Sequence, residues 1–598
     1  MHLSRGTSRP PVSNRPFRLT LALGLCGAAL LAPAASAQPS PSLFLWLSSR
    51  LSPPAAAPES PVLATGPEFQ GIPPGSVIGE VRVVAQDIFD EKNPGEGNRL
   101  FRIANHLHRT TRPGVIQSQL LFRPGDVFSP ELVEESARLL RSHDYLYDVA
   151  IRPVLRGDGK VDVEVKTRDV WTLEGGASFG RAGGRNSSSF SLSDSNFLGT
   201  GKEVALARIG TIDRTSNLVR FTDPNLIGSR VRLLLSYADN SDGGRQRLEV
   251  ERPFYSLDTR WAAGLRSFHD DRLESLYSLG KVETAFRHQT NFVEVYGGLS
   301  SGLVDGATHR WEAGFTYSRD DFERSSRPFP FFGGKELGKG PIDRIPLPPD
   351  RTLAYPWLRF QSIQNRFVVE KDLDRIQRSE DLNLGRQFSA LVGLSSPTFG
   401  GDASRWVAQT AVSDGWRPAP GQIVLAQLGG STRWAEGDAE NLVAGGRVRW
   451  YVRDFGRHVF YASLGADLAH RLDGEDQLLL GGDSGLRGYP IRYQAGDRRV
   501  LLTLEQRFFS DREIFHLAHL GAAVFFDAGQ AWFVDTLTER DVVLRQNRKI
   551  LKDIGLGLRI GSSRSSRGGV LHLDVAFPLD GGGSIQRLQW LVSTGDTF

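Results

Sequence analysis

The chain has 598 residues, a net charge of +4, 65 glycines and a single cysteine, Cys26. Four arginines in residues 1–37 account for this charge, because that segment contains no acidic residue. The rest of the chain is therefore neutral overall, which removes the main electrostatic argument for nucleic-acid binding. Without the segment that carries Cys26, the chain would also have no thiol for a disulfide, a thiolate nucleophile or a cysteine-bound metal.

Residues 1–37 have the form of a secretory signal peptide. Arginines precede an apolar run over residues 19–31, and Ala35-Ser36-Ala37 forms an A-x-A cleavage site. The apolar run is too short for a membrane-spanning helix. The sequence therefore predicts export, with cleavage before Gln38.

Residues 38–75 are rich in Pro, Ala and Ser, and this composition predicts a flexible linker. An apolar segment at residues 43–47 interrupts the linker. The segment fits a short docking or interfacial helix, and it fits equally a continuation of processed or disordered sequence. The sequence leaves both interpretations open.

Residues 76–170 predict one small α/β domain. Ser129, Pro130 and Glu131 provide a helix N-cap, a proline at the first helical position and an acid in the first turn. The other elements are indicated by apolar residues at helical or alternating spacing. In the order β-α-α-β-β, the predicted elements are a strand at 77–85, helices at 100–107 and 129–142, and strands at 149–155 and 160–167.

Residues 171–598 contain no convincing helix, and apolar and polar side chains alternate in segments of about ten residues. Val448 and Trp450, for example, lie on the opposite face from Arg447 and Arg449. A soluble β-sandwich also alternates, but the polar face carries too much charge for a dry core. The pattern favours a mainly β fold, an antiparallel transmembrane β-barrel with a polar lumen and about sixteen to twenty strands.

Two segments between the strands predict loops. Residues 319–350 are rich in Pro, Gly and charge, and predict a long external loop. Residues 481–490 contain four glycines and a proline around Arg487. Spacing alone leaves open whether this second segment is a solvated hairpin tip with an incidental arginine or an anchored loop.

Several segments resemble those of the outer-membrane assembly-factor superfamily, which comprises BamA-like and TamA-like proteins and the two-partner-secretion transporters. Leu486-Arg487-Gly488-Tyr489 resembles the lumen-loop motif of this family, and residues 76–170 resemble its POTRA domain. Three further matches complete the set. Residues 196–201 resemble an early barrel turn, residues 525–532 an F-F-D-x-G strand, and residues 556–559 with 573–579 the penultimate strands.

The resemblance implies a periplasmic POTRA-like domain over residues 76–170 and an outer-membrane barrel of about sixteen strands over residues 171–598. It also implies that the loop with Arg487 folds into the lumen and pairs with Asp527. Strand alternation places Asp527 and Glu505 on the inner face, so we expect Glu505 to be a second acceptor. Phe598 ends the last alternating strand and resembles the C-terminal signal that such barrels present to their assembly machinery.

The function implied by the resemblance is non-enzymatic. The protein would insert β-barrel proteins, or translocate polypeptide, through a seam between its first and last strands. Its implied partners are outer-membrane lipid, unfolded outer-membrane or secreted polypeptides, and accessory periplasmic or lipoprotein subunits.

Two alternatives remain from the sequence. One is a two-partner-secretion-type transporter, against which the single POTRA-like domain argues, and the other is a passive porin or structural barrel. No cofactor, metal or nucleic acid is expected. The chain has no H-E-x-x-H motif, and His106 and His108 are two residues apart and do not share a helix face. An enzyme is therefore not expected.

Overall fold

The computed structural model describes residues 71–89, 99–324, 345–453, 458–534, 549–563, 570–582 and 585–595. The predicted signal peptide, most of the predicted linker with its apolar segment, and Phe598 lie outside the described residues. Within these ranges, no helix is both long enough and apolar enough to cross a membrane.

A small α/β unit precedes the barrel. Its three strands form one sheet in the order β1-β3-β2, with β1 parallel and β2 antiparallel to β3. The unit contains one helix that the sequence did not predict. This helix, α2, has only seven residues and is too short to show a helical period. The elements are β1 (Ile78–Gln86), α1 (Arg99–Leu107), α2 (Pro113–Gln119), α3 (Pro130–Arg141), β2 (Leu146–Leu155) and β3 (Val161–Asp169).

The core of this unit lies between helix α3 and one face of the sheet. Val161, Val163 and Val165 alternate along β3 and are fully buried, as is Leu140 of α3. Ser129 caps α3, since its hydroxyl accepts a hydrogen bond from the Leu132 N–H at 3.3 Å. Apolar alternation on β3 and the capped helix together fix which faces meet.

Among the described residues, twenty antiparallel strands close a barrel. They are β4 (Leu173–Ala182), β5 (Arg185–Asp194), β6 (Glu203–Gly210), β7 (Thr215–Asp223), β8 (Arg232–Asn240), β9 (Gly243–Arg252), β10 (Trp261–Ser278), β11 (Lys281–Val304), β12 (Ala307–Arg324), β13 (Arg351–Gln364), β16 (Gln387–Ser395), β17 (Arg405–Trp416), β18 (Gln422–Ala435), β19 (Asp438–Arg453), β20 (His458–His470), β23 (Arg498–Ile514), β24 (Ala518–Trp532), β25 (Leu551–Ser562), β26 (Val570–Pro578) and β27 (Gln589–Gly595). Two short strand pairs are not part of the barrel wall. They are β14 (Phe367–Lys371) with β15 (Ser379–Asn383), and β21 (Leu478–Leu480) with β22 (Gln494–Gly496).

The predicted fold class is confirmed, but the barrel has twenty strands and not the sixteen that the resemblance implied. The motifs mark single turns and strands and do not specify how many strands lie between them. Strands β4 to β9 are only 8 to 10 residues long and form three hairpins before the long strands begin. The expected loop at 319–350 also starts later, because β12 continues to Arg324.

Side chains alternate between the lumen and the outer surface of the barrel. On β23, Thr503, Glu505 and Arg507 are buried, whereas Phe508 is 37% exposed on the other face. On β19, Tyr451 is buried while Trp450 is exposed. The barrel therefore has charged and polar residues inside and apolar residues outside, as the alternation predicted.

The α/β unit contacts one end of the barrel, which we call the proximal end; the opposite end is the distal end. Two proximal turns use asparagine in the same way. The Asn196 side chain donates to the Thr111 hydroxyl at 2.8 Å and accepts from the Gly201 N–H at 2.7 Å. Asn225, 29 residues later, donates to the Ser118 hydroxyl at 2.9 Å. These turns join helix α2 and its neighbourhood to the first barrel hairpins.

We expect Asn196→Ala to loosen this contact. Asn196 is 1% exposed, and its removal leaves the Gly201 N–H without its partner and the Thr111 hydroxyl with Asp169 alone, which costs about 1–3 kcal/mol. Hydrogen exchange at residues 111, 112 and 201 should accelerate about tenfold or more. Asn217→Ala is the control, because Asn217 is exposed and its side chain accepts a hydrogen bond from Arg208 on the neighbouring strand, away from the α/β unit. Equal exchange in both variants would contradict the role of Asn196.

Candidate functional site

The candidate site is formed by the connection between β20 and β23, residues 471–497, which we call the arginine loop. The two short strands β21 and β22 pair within it and fold it back into the barrel from the distal end. Leu486 and Tyr489 are both 0% exposed, and Arg487 is 1% exposed. The loop is therefore packed inside the lumen, which decides between the two interpretations that spacing left open.

Two glycines allow the arginine loop to lie close to its neighbours. A Cβ on Gly488 would lie 2.6 Å from the Cβ of Asp553, so no larger residue fits there without displacement. Gly485 has a φ of +110°, a conformation that residues with a side chain rarely adopt. The tip is closed by a hydrogen bond from the Leu486 N–H to the Gly481 carbonyl at 3.0 Å.

Arg487 is held by carboxylates on three barrel strands. Its Nε and Nη2 donate to the two oxygens of Asp527 at 2.7 and 3.0 Å, a bidentate pair. Its Nη1 donates to Asp574 at 3.2 Å and to Glu505 at 3.4 Å. The guanidinium also lies 3.3 Å from the ring centroid of Phe525. The structure thus brings together the three charged residues that the sequence predicted.

The rest of the loop motif is also anchored to the wall. The Gly488 N–H donates to Asp553 at 3.0 Å. The Tyr489 hydroxyl donates to the Lys552 carbonyl at 2.8 Å and accepts from the Asp580 N–H at 3.3 Å. Leu486 packs in an apolar cluster with Leu480 and other residues. Each residue of Leu486-Arg487-Gly488-Tyr489 therefore has a separate contact with the barrel or the loop base.

Two further arginines balance the charge around Arg487. Arg559 bonds Glu505 at 2.6 Å and also bonds Asp574. Arg507 bonds the other oxygen of Glu505 at 2.7 Å. The resulting group, which we call the lumen cluster, has three arginines and three carboxylates, all less than 5% exposed. Its members are Arg487, Arg507, Arg559, Glu505, Asp527 and Asp574.

Sequence reasoning identified half of this cluster. Asp574 was not singled out as a partner of Arg487, although its alternation with Leu573 and Val575 places it on the inner face. Arg559 and Arg507 were not singled out. Their inward positions follow from the same alternation, but their distance from Arg487 depends on the closure of the barrel, which no sequence pattern gives.

The arginine loop also touches the first barrel hairpins at the distal end. Arg492 forms a bidentate pair with Asp213, in the turn between β6 and β7, at 2.7 and 2.8 Å. Gly183, in the turn between β4 and β5, packs so closely against Pro490 and Ile491 that a Cβ would overlap their backbone. The loop therefore connects the strands after it to the strands that begin the barrel.

Among the described residues, the registered pairing between neighbouring barrel strands is shortest where the first and last strands meet. In the described part of the chain, one registered pair, Val592 with Arg181, joins β27 to β4. By contrast, β27 pairs with β26 continuously, from the pair of Val570 with Gly595 to the pair of Ala576 with Gln589. The Arg181 guanidinium lies 4.7 Å from the ring centroid of Trp590 and adds a side-chain contact across this boundary.

Among the described residues, no group of three His, Cys, Asp or Glu side chains could hold a metal ion. His108, which was expected on a helix, follows the end of α1 and contacts Asp169 at 3.0 Å. The residues around Arg487 form a network of ion pairs that holds the loop in the lumen.

Comparisons with known proteins identify the α/β unit. Residues 104–168 match the family model described as "POTRA: Surface antigen variable number repeat". No curated protein sequence matches the chain. Among solved structures, CdiB from Escherichia coli is similar at 11% identity and a TM-score of 0.44, over 95% of this chain and 99% of that one. BamA from Haemophilus ducreyi, lacking POTRA domains 1–3, is similar at 14% identity and a TM-score of 0.36, over 87% and 84%.

A POTRA domain followed by a closed, polar-lined β-barrel defines a class of protein. The family match at residues 104–168 supplies the first part, and the twenty-stranded barrel supplies the second. Residues 104–168 therefore form a POTRA domain, and a barrel with a polar lumen follows it in the chain.

Arg487→Ala should destabilise the folded barrel by about 3–5 kcal/mol, because it leaves buried carboxylates without their cation. Arg487→Lys should destabilise the folded barrel by a smaller amount, since an ammonium keeps the charge but cannot form the bidentate pair. The measurement is the urea midpoint of unfolding, with protease cleavage at 481–490 as a local readout.

Arg386→Ala is the matched control for this prediction. Arg386 pairs with Asp414 at 3.0 Å, but its side chain is 65% exposed. Its removal should change the stability by less than about 1 kcal/mol. If the two alanine variants unfold at the same urea concentration, the lumen cluster does not anchor the loop.

Proposed function

We propose that this protein is a non-enzymatic outer-membrane protein that inserts β-barrel proteins, or translocates polypeptide, through a lateral seam between β4 and β27. The single observation that carries the proposal is the short junction between these strands, with its one registered pair. A strand edge with unpaired N–H and C=O groups can bind an extended polypeptide as an added strand. Strand β4 is weakened further by its glycines, because a glycine in a strand loses more conformational entropy and has no side chain to pack. These glycines are Gly175, Gly176 and Gly180.

In this proposal the proximal end faces the periplasm, where the POTRA domain receives unfolded outer-membrane or secreted polypeptides. The exposed apolar side chains of the barrel contact outer-membrane lipid. The arginine loop contacts the distal ends of the first hairpins through Arg492 and Gly183. Because Gly183 follows β4, the position of the loop affects one of the two strands that form the seam. Accessory periplasmic or lipoprotein subunits are the expected further partners.

A passive porin is the less favoured function. Its lumen should be open to solutes, whereas this lumen contains the arginine loop and its buried ion pairs. A dedicated secretion transporter would use the same seam and lumen, so it differs from the first proposal in its client and not in its geometry.

A disulfide across the seam tests the proposal. The pair Arg181→Cys and Val592→Cys lies in register between β4 and β27, and the predicted mature chain has no other cysteine. In cells depleted of the wild-type protein, this variant should fail to restore outer-membrane barrels or a secreted product when oxidised, and should restore them when reduced.

The matched control is Leu573→Cys with Val592→Cys, which links β26 to β27 and leaves the seam free. This control should support function when oxidised. Loss of many barrels on depletion indicates a general assembly factor, and loss of one secreted product a dedicated transporter. If the oxidised seam variant works like the control, or if depletion changes only solute permeability, lateral opening is wrong.

A further inference from the structure

A short hairpin lies inside the proximal mouth of the barrel. Between β13 and β16 the chain leaves the wall and forms β14 and β15, which we call the inserted hairpin. Its residues Leu373 and Leu384 are 3% and 4% exposed. They pack in one apolar cluster with inward residues at the proximal ends of β18, β19 and β20, namely Ile423, Tyr451, Val459 and Tyr461.

The turn of the inserted hairpin is held to the wall by polar contacts. Asp374 accepts hydrogen bonds from the Tyr451 hydroxyl and from Arg507, both at 2.9 Å. Arg507 also donates to the Leu373 carbonyl at 2.5 Å. The turn keeps this shape because Glu380 accepts backbone N–H groups from three successive residues of it, at 2.7 to 3.2 Å.

These contacts join the inserted hairpin to the arginine loop. Arg507 bonds Asp374 on the hairpin and Glu505 on its own strand. Glu505 in turn is shared with Arg487 of the arginine loop. Two segments that enter the lumen from opposite ends therefore meet through two residues of β23.

The other side of the inserted hairpin faces the POTRA domain. The guanidinium of Arg138, on helix α3, lies 4.6 Å from the ring centroid of Phe367 on β14. Arg141, three residues further along α3, is close enough to Asp381 in the middle of β15 for the two charges to interact. A displacement of α3 would therefore change the contacts of the hairpin directly.

We propose that the inserted hairpin is a gate of the proximal mouth, closed by the latch between Asp374 and the pair Tyr451 and Arg507. Polypeptide that is delivered by the POTRA domain has to displace this hairpin before it can enter the lumen. The displacement of the hairpin by polypeptide rests on the proposed function, whereas closure of the mouth by the hairpin does not.

Unlatching and locking the hairpin test the gate in planar lipid bilayers with the purified full-length mature protein. Asp374→Ala removes the shared acceptor, so it should raise the frequency of channel openings severalfold over wild type. Ile376→Cys with Gly561→Cys should lock the hairpin to β25, because a Cβ on Gly561 would lie 3.1 Å from the Cβ of Ile376, close to disulfide distance. In the Asp374→Ala background, oxidation of this pair should abolish the added openings, and reduction should restore them.

Leu558→Cys with Leu573→Cys is the matched control, since these residues are register partners on β25 and β26, face away from the lumen and leave the hairpin free. In the Asp374→Ala background its openings should be the same whether oxidised or reduced. The gate is overturned if Asp374→Ala opens no more often than wild type, or if oxidation of the hairpin pair leaves the openings unchanged. Conductance requires no client, so a failed seam experiment would contradict the proposed function without affecting this result.

Discussion

The arrangement of the lumen depends on the burial of Arg487. Moving a guanidinium out of water costs several kcal/mol, and only close carboxylates can offset that loss. Asp527 provides two of its hydrogen bonds, and Glu505 and Asp574 share a third nitrogen. These acceptors come from three strands, so the arginine fixes the loop in position and also the strands relative to each other.

The same cluster links the two ends of the barrel. The arginine loop reaches the first hairpins through Arg492 and Gly183 at the distal end. At the proximal end, Arg507 extends the cluster to the inserted hairpin, which lies next to helix α3 of the POTRA domain. A buried ion-pair network has few alternative arrangements, because each charge must keep a partner. Arg507 and Glu505 therefore place the contacts of the two ends in one network.

Much of this organisation could be predicted from the sequence. Alternation placed Asp527 and Glu505 inside the barrel, and the glycines and the proline around Arg487 indicated a loop. The small α/β domain was predicted from its strand and helix order, and Ser129 and Pro130 marked the start of α3 correctly. These features are local, and each is encoded by residues within a few positions of one another.

The remaining features depend on closure of the barrel. Asp574 lies 87 residues from Arg487 along the chain and reaches it only because the last strands curve back beside the loop. The number of strands follows from hairpins without distinctive motifs between β4 and β13. The inserted hairpin looks in sequence like further alternating strand, since Leu382 and Leu384 alternate with Asp381 and Asn383. Only its packing against Tyr451 and Tyr461 distinguishes it from the wall.

A double-mutant cycle on Arg487 and Asp527 tests the central claim most directly. The free energy of unfolding would be measured for Arg487→Ala, Asp527→Ala and the variant with both changes. If the bidentate pair anchors the loop, the double variant should lose less stability than the sum of the single losses, with a coupling energy of about 1–3 kcal/mol. Losses that add to within about 0.5 kcal/mol would show that the two residues act independently and would contradict the account.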